Sequence, residues 1–452
     1  MQLRRQGWLA IFNHPSAVLT VGLITLHQAI IATSSYFLTR LIEVFQQGGD
    51  YQEYLFLYLA AMLVPYIPGC ISFFTLQIWI NQAHQRLTNR LATTAYGLTE
   101  KYRETAIREI VESVAARNSF ITIKDYLNFV HGFLGFLLNS SLSMLVLGFL
   151  LPGNLLAGYI VSLVLCSSII ILMKKSISSR SAKLELRFIS YSESLSAIWD
   201  NTTLGNKCNF DQWLKIRDSA AEKYYRESNE LQFFKQIGNL LLAAAALGPT
   251  IYLVAHAVQD NSAAPALIAA IVVNLTRVFH ILNSLSSLVY QLLDWTSMNA
   301  RLKVLFDAEQ RLSDEVKLPT ASSGDLNLNQ VPVKKFADIV SSIRNESRGR
   351  FTIRGGNGVG KSTLLLILKK ALANDAILIP AHHGKLCWES SGGNMSTGQK
   401  TLAQLQEVSE KQDIKYLLLD EWDANLDIKN TLNINQILEE LSHEKVVLEI
   451  RH

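Results

Sequence analysis

A glycine-rich stretch near the carboxyl end, FTIRGGNGVGKSTLLLILKK over 351–370, has the residue types that bind phosphate. The spacing G-x-x-x-x-G-K-[ST] is satisfied by Gly355, Gly360, Lys361 and Ser362. Glycines let such a loop wrap closely around an anion, and the positive N-terminus of the following helix points at the same anion. Lys361 is expected to reach the β- and γ-phosphates of a nucleotide, and Ser362 to bind Mg²⁺. A chance glycine turn is the alternative, but the strand before the loop and the helix after it argue against that alternative.

Two carboxylates follow a second apolar strand pattern in YLLLDEWDANLD, 416–427. Asp420 is expected to hold the water shell of the magnesium ion, and Glu421 to polarise a water for in-line attack on the γ-phosphate. An acidic turn at the end of a strand is common by itself, but beside a phosphate loop that plain structural interpretation loses weight.

A third segment, NMSTGQK over 394–400, places Ser396 and Gly398 where a helix could begin, with Ser396 as a candidate N-cap. Ser-Thr-Gly is ordinary loop chemistry, so the segment by itself is a weak signal. Its position between the phosphate loop and the acidic pair gives it more weight.

The first three hundred residues predict helices that cross a membrane. The chain has 452 residues, 49% of them hydrophobic, and a helix needs about 20 apolar residues to span a bilayer. Six windows fit, namely 16–38, 54–80, 127–151, 155–173, 237–258 and 265–293. Lys and Arg gather in the two long connections, so these connections and both termini are expected to be cytoplasmic in a multi-pass protein of the inner (plasma) membrane. Arg40 is an exception at the outer end of the first window, with Glu43 as its expected partner.

The two long connections, about 81–126 and 174–236, are expected to be helical. Residues 191–236 have helical apolar periodicity and few helix breakers, so the membrane helices should continue into the cytoplasm and turn there. A solvated charged loop is the alternative. Pro65 and Pro68 should kink the second window.

The residues after the membrane windows predict a small α/β domain. Residues 1–307 form the predicted transmembrane domain, 308–335 a polar linker, and 336–452 a shortened ATP-binding domain. Strand patterns at 351–354, 376–380, 416–419 and 446–450 alternate with helix patterns at 361–373, 397–410 and 428–442. Such alternation is typical of a parallel sheet. The predicted fold class is therefore a helical six-span bundle with long cytoplasmic extensions, followed by a reduced α/β P-loop domain.

The last membrane window, 265–293, has a polar face. On a helical projection its polar side chains fall within one arc of about 140°, and they are Asn274, Arg277, His280, Ser284, Ser287 and Gln291. One interpretation is that the first four of these residues form a cavity wall, in which Arg277 attracts a carboxylate or phosphate of a substrate. Hydrogen bonding between helices inside the bundle is an equally good interpretation.

Charge and cysteine content bear on two further classes of protein. The net charge of +4 is the basic excess of cytoplasmic loops, and no nucleic-acid partner is expected. The cysteines show no metal-ligand spacing and need no disulfide; they are Cys70, Cys166, Cys208 and Cys387.

The order of phosphate loop, S-T-G-Q segment and D-E pair resembles the ATP-binding cassette (ABC) family, and the membrane pattern resembles the six-helix half of an ABC exporter. The second motif of that family is usually L-S-G-G-Q, from which MSTGQK departs at Met395 and Thr397. DEWDANLD departs from the common form by its Trp422. Both departures resemble the bacterial exporters of cyclic peptides and peptide siderophores, which tend to have L-S-T-G-Q and D-E-W.

This resemblance implies a role for each matched residue. The Walker A loop that binds ATP would comprise Gly355, Asn357, Gly358, Gly360, Lys361, Ser362 and Thr363. Asp420 and Glu421 correspond to Walker B, with Ser362 and Asp420 on Mg²⁺ and Glu421 as the catalytic carboxylate. His452 corresponds to the switch histidine that contacts the γ-phosphate. The signature motif, which contacts ATP bound to the other protomer of a homodimer, would comprise Ser396, Thr397, Gly398 and Gln399, and the D-loop Asn425 to Asp427.

Three departures from the family pattern bear on activity. Only 34 positions separate the Walker A lysine from Met395, an interval in which the family has a glutamine-bearing loop and a helical subdomain. His382 or His383 could replace the glutamine, although an exposed loop histidine is the plainer interpretation. Phe336 is a candidate for the aromatic residue that stacks on the base, with core packing as the alternative. A terminal carboxylate at His452 would repel the γ-phosphate.

Two functions are therefore kept as hypotheses. The first is ATP-driven export of a peptide or another amphipathic molecule across the inner membrane by a homodimer that uses ATP and Mg²⁺. The second is a non-transporting membrane protein whose reduced cassette only binds nucleotide, as a regulator or scaffold. Intact Lys361, Asp420 and Glu421 favour the first hypothesis, and the missing subdomain and abrupt end favour the second.

Overall fold

The computed structural model of this chain describes residues 2–113, 119–150, 153–259, 295, 298–299, 302, 306–307, 309–314, 316, 318–322, 324–333, 335–381, 386–389, 397–423 and 428–451. The chain divides into two compact units. The first unit contains residues 1–90 and 114–307, and the second contains residues 91–113 and 308–452. Residues 91–113 thus cluster with the carboxyl-terminal part of the chain, although they lie between membrane windows in the sequence.

From residue 2 to residue 259 the described residues fold mainly into helices. These are α1 (Gln2–Phe12), α2 (Pro15–Gln46), α3 (Gln52–Leu63), α4 (Tyr66–Ala95), α5 (Thr105–Ser113), α6 (Ser119–Leu150), α7 (Gly153–Ser196), α8 (Ile198–Thr203) and α9 (Lys207–Gln259), with a 3₁₀ turn at Thr99–Lys101. The end of α4, the end of α7 and the start of α9 run well beyond the apolar windows. The prediction that the long connections are helical is confirmed for these segments.

Three stretches of the described residues are long and apolar enough to cross a membrane, namely Pro15–Gln46, Gln52–Ala95 and Ile160–Ser181. They overlap the first, second and fourth predicted windows. The third and fifth windows lie mostly in α6 and α9, and the window 265–293 lies outside the described residues. The protein is therefore associated with a membrane.

Two local predictions about the membrane helices have clear outcomes. Pro65 lies in a two-residue interruption between α3, which ends at Leu63, and α4, which begins at Tyr66, whereas Pro68 lies inside α4. Arg40 Nη1 lies 2.7 Å from Glu43 Oε2, which confirms the predicted ion pair.

The described residues of the second unit form a six-stranded mixed sheet in the order β2-β1-β3-β6-β5-β4. Its strands are β1 (Leu326–Leu328), β2 (Val331–Pro332), β3 (Gly349–Gly355), β4 (Ala376–Ile379), β5 (Tyr416–Asp420) and β6 (Val446–Ile450). The pairs β3–β6, β6–β5 and β5–β4 are parallel, which confirms the parallel pairing predicted for these four strands. β1 pairs antiparallel with both β2 and β3, so part of the predicted linker forms a hairpin at the edge of the sheet.

Helices cover both faces of this sheet. They are α10 (Phe336–Asn345), α11 (Lys361–Leu372), α12 (Thr397–Glu410) and α13 (Ile428–Ser442). α10 and α11 supply Ile343 and Leu364 to a core that includes Leu418 of β5. α12 and α13 supply Leu405 and Leu438 to a second core that includes Leu417 and Leu419. The alternation of side chains along β5 therefore sends successive leucines to opposite faces.

Candidate functional site

The phosphate-type loop connects β3, which ends at Gly355, directly to α11, which begins at Lys361. Gly358 and Gly360 have φ angles of 81° and 102°, which L side chains rarely adopt. A Cβ on Gly355 would lie 2.8 Å from the carbonyl oxygen of Asp325, so this position also requires glycine. Lys361 Nζ donates a hydrogen bond to the carbonyl oxygen of Gly355 at 2.8 Å and thereby closes the loop.

Ser362 and Asp420 come together although 58 positions separate them. Ser362 Oγ donates to Asp420 Oδ1 at 3.0 Å, at the carboxyl ends of the parallel strands β3 and β5. Burial raises the pKa of Asp420, and the adjacent Glu421 charge raises it further, against the opposing effects of the Ser362 hydroxyl, Arg103 and Lys361. A hydroxyl and a carboxylate oxygen are ligand types that Mg²⁺ prefers, and a bound cation would favour the ionised Asp420. These two residues fit a magnesium ion that keeps several waters, and the described residues contain no larger group of His, Cys, Asp or Glu suited to a metal.

Glu421 follows directly in a left-handed backbone conformation, with φ of 48°. This conformation costs about 1–3 kcal/mol for a residue other than glycine and persists only where its surroundings hold it. The next residue, Trp422, is 5% exposed and packs in the core beneath α12 and α13. Trp422 Nε1 donates to Glu449 Oε2 at 2.9 Å, so the residue after Glu421 is held in place by burial and by a hydrogen bond.

A buried charge network centres on Glu449 of β6, whose side chain is 2% exposed. Arg350 of β3 donates to both carboxylate oxygens, at 3.0 and 3.1 Å. Arg451 Nε donates to Oε2 at 3.0 Å, beside the bond from Trp422. Burial raises the pKa of Glu449, but the hydrogen bonds from Arg350 and Trp422 and the charges of Arg350 and Arg451 outweigh it, so that the pKa is lowered. The network joins β3, β6 and the turn that follows Glu421.

Residues 99–103 bring a further cation to this site, which the sequence did not indicate. Arg103 Nη1 donates to Thr363 Oγ1 at 3.4 Å. A cavity of about 40 Å³ lies here, and its lining includes Arg103, Ser362, Pro380 and Asp420. In the sequence Arg103 was one of many basic residues in a long connection, and no local pattern distinguishes it.

The remaining predicted site residues have different outcomes. Thr397, Gly398 and Gln399 form the first turn of α12, which begins where the sequence predicted a helix. Phe336 is 2% exposed in the core beside the phosphate-type loop, so its side chain packs and the core alternative is confirmed. Outside the described residues lie Asn274, Arg277, His280, Ser284, His382, His383, Ser396, Asn425 to Asp427 and His452.

A second candidate site is a cavity of about 490 Å³ between α2, α4 and α6 in the first unit. Its polar lining includes His27, Gln28, Tyr66, Cys70, Ser72, His131 and Asn139, and none of the described lining residues is an acidic residue, a lysine or an arginine. Each helix contributes residues at the spacing of one face, for example Ile24, His27, Gln28 and Ile31 of α2.

Hydrogen bonds between helices organise this cavity. Asn139 Nδ2 donates to Gln28 Oε1 at 2.9 Å, and Ser72 Oγ lies 3.1 Å from His131 Nε2. His27 Nδ1 lies 2.6 Å from the carbonyl oxygen of Pro65, at the break between α3 and α4. Asn139 Oδ1 is buried and has no hydrogen-bond partner among the residues that the structure describes. The sequence did not predict this cavity, because its polar residues are dispersed over three helices.

Comparison with known proteins adds no assignment to these two sites. The chain matches no model of a known protein family, and the curated proteins contain no significant match to it.

Proposed function

We propose that this chain is an ABC-type membrane protein that hydrolyses ATP to export a peptide or another amphipathic molecule. The observation that carries the proposal is the pair Ser362–Asp420, 3.0 Å apart beside a glycine loop that enters α11. A helix N-terminus, a lysine and a hydroxyl–carboxylate pair in one place are the requirements for binding a magnesium nucleotide.

The predicted site residues of the second unit each have a defined role in this proposal. Lys361 leaves the carbonyl of Gly355 and binds the β- and γ-phosphates. Ser362 and Asp420 would hold Mg²⁺, and a bound Mg²⁺ would supply positive charge beside the phosphate oxygens. Glu421 accepts a proton from a water whose oxygen bonds to the γ-phosphorus, while the bond from that phosphorus to the β–γ bridging oxygen breaks. In this proposal His452 contacts the γ-phosphate before hydrolysis. ADP and phosphate leave after it.

The membrane part of the proposal has six spans, and both termini lie on the cytoplasmic side of the inner membrane. The cavity between α2, α4 and α6 is a second candidate substrate site beside the polar face that includes Arg277. Its uncharged polar groups and aromatic rings suit an amide-bearing, apolar molecule such as a peptide. The unpartnered Asn139 Oδ1 would accept a hydrogen bond from an N–H group of such a molecule.

The active form in this proposal is a homodimer. Thr397 to Gln399 begin α12, and in an ABC cassette they serve the ATP of the other protomer. α7 and α9 pack extensively along each other but only sparsely on the other described helices of the first unit. Leu172 and Leu240 on these helices are 79% and 72% exposed. A second copy and membrane lipid would cover such surfaces.

Lys361→Ala is expected to weaken binding of MgATP by roughly thirtyfold or more, because a buried charge-assisted contact to phosphate is lost. The measurement is equilibrium binding of labelled ATP to the full chain in lipid nanodiscs. Lys415→Ala removes the same charge at the opposite end of β5, where the side chain is 69% exposed, and should bind as the wild type does. Equal affinity in Lys361→Ala and the wild type would refute the assignment of the loop.

Water access to the membrane cavity is expected from its polar lining. In a Cys208→Ser/Cys387→Ser background, Cys70 should react with a charged methanethiosulfonate reagent roughly tenfold faster than buried Cys166, because that reaction needs a thiolate and water. Mass spectrometry of the labelled chain gives both rates. Reaction of Cys70 only with a neutral, lipid-soluble maleimide would mean that the cavity opens to lipid and has no role for a polar substrate.

The alternative function is a nucleotide-binding regulator or scaffold that does not transport. It is favoured by the short interval from α11 through β4 to α12, which leaves no room for the helical subdomain of ABC cassettes. Hydrolysis separates the two functions, since a regulator would bind MgATP without turnover in lipid.

A further inference from the structure

Arg103 lies beside the residues that we propose to hold Mg²⁺, and the inference drawn from it rests on the proposed nucleotide-binding function. Its guanidinium contacts Thr363 Oγ1 at the start of α11 and shares a cavity with Ser362 and Asp420. Its charge also acts on Asp420. Arg103 is therefore close to both residues that we assign to Mg²⁺.

The segment that carries Arg103 is held by specific contacts in the second unit. Lys101, 6% exposed, donates from Nζ to the carbonyl oxygens of Arg311 and Leu312, at 2.7 and 2.6 Å. Glu100 Oε1 lies 3.2 Å from Lys370 Nζ of α11. The 3₁₀ turn Thr99–Lys101 packs against α11. Because a buried lysine satisfied by two carbonyls is costly to displace, this turn fixes the position of Arg103.

Arg103 uses little of its hydrogen-bonding capacity on the part of the chain that the structure describes. A guanidinium has five N–H donors in a planar fork suited to phosphate. Among the described residues Arg103 makes one hydrogen bond, the 3.4 Å bond to Thr363, and no ion pair. The side chain is exposed, so it can turn towards an anion without breaking a buried contact.

We propose that Arg103 is a nucleotide-binding residue that contacts the terminal phosphates of MgATP and distinguishes ATP from ADP. It lies eight positions after the end of α4, a helix that begins in the first unit and ends in the second. Binding of the γ-phosphate by Arg103 links the nucleotide to the helix that continues into the membrane. This contact takes the place of the glutamine-bearing loop that the short interval before α12 lacks.

The test is equilibrium binding of MgATP and MgADP to the full chain in lipid nanodiscs, in a Glu421→Gln background that prevents turnover. Arg103→Ala should lower the affinity for MgATP by about tenfold or more, because a hydrogen bond to a charged group is lost. The affinity for MgADP should fall by less than about threefold. Arg103→Lys keeps the charge without the fork and should lie between the wild type and Arg103→Ala. Arg108→Ala is the matched control, because Arg108 pairs with Glu112 at 2.9 Å in α5.

Each outcome decides the inference. An unchanged ratio of ATP to ADP affinity in Arg103→Ala, with wild-type binding intact, would overturn it and leave the proposed function standing. Binding of neither nucleotide by the parent protein would overturn both. Arg103→Gln keeps length and polarity, so wild-type ATP affinity in that variant overturns the inference even if Arg103→Ala fails to fold.

Discussion

Glu421→Gln is expected to lower the rate of ATP hydrolysis by about a hundredfold, while MgATP affinity changes by less than about threefold. A glutamine has nearly the same shape but cannot accept the proton of the attacking water, so the loss should fall on kcat. Glu421 is in the left-handed conformation beside Asp420, and the buried Trp422 holds that turn in either variant. The measurement is phosphate release by the full chain in lipid, with affinity measured separately.

Two comparisons make this result specific. Glu410→Gln changes an exposed carboxylate at the end of α12 and should leave hydrolysis unchanged. Equal, background rates in the wild type and Glu421→Gln would instead support the regulator or scaffold, provided that MgATP still binds.

Arg350→Met is expected to lower the free energy of unfolding of the second unit by about 3–5 kcal/mol. The substitution leaves the carboxylate of Glu449 buried with its main partner removed, and Arg350 itself is only 15% exposed on the side chain. Glu449→Gln should cost less, because a neutral amide carries no buried charge. Hydrogen exchange of the β6 amides, measured in the full-length protein, reports this local stability.

The pH dependence of the same stability follows from the lowered pKa of Glu449. The network stabilises the fold fully at pH values above 4.5, the ordinary pKa of this carboxyl. Its contribution is lost as the pH falls through the lower pKa of the folded state.

The control for Arg350→Met is Arg348→Met, which changes an exposed arginine two positions away and should have little effect on stability. If Arg350→Met and Arg348→Met had equal effects at neutral pH, Glu449 would not depend on Arg350.

Local features of this chain were predictable because a few neighbouring residues determine them. The strands that became β3, β5 and β6 follow from short apolar runs, and the loop before α11 follows from its glycines. The ion pair between Arg40 and Glu43 follows from helical spacing of three residues. Each of these predictions needed no knowledge of which parts of the chain meet.

The sequence did not predict the hairpin of β1 and β2, because its strands are too short to show a local pattern. Its strands have three and two residues, so they carry too little period-two pattern to stand out in a polar stretch. Pairing of Leu326 with Gly355 and burial of Leu326 against the core stabilise the hairpin. Tertiary contacts, not local propensity, make these residues strands.

The sequence alone predicted which residues bind phosphate and magnesium, and it identified segments that are apolar enough to enter a membrane. The family resemblance implied that Ser362 and Asp420 share a magnesium ion, but only the tertiary structure showed their direct hydrogen bond. It alone also showed that Arg350 pairs with Glu449 and that Arg103 reaches Thr363. These partners are 58, 99 and 260 positions apart. Periodicity and spacing describe a single helix or strand, whereas contacts at such separations depend on how the sheet orders its strands and where a distant segment docks.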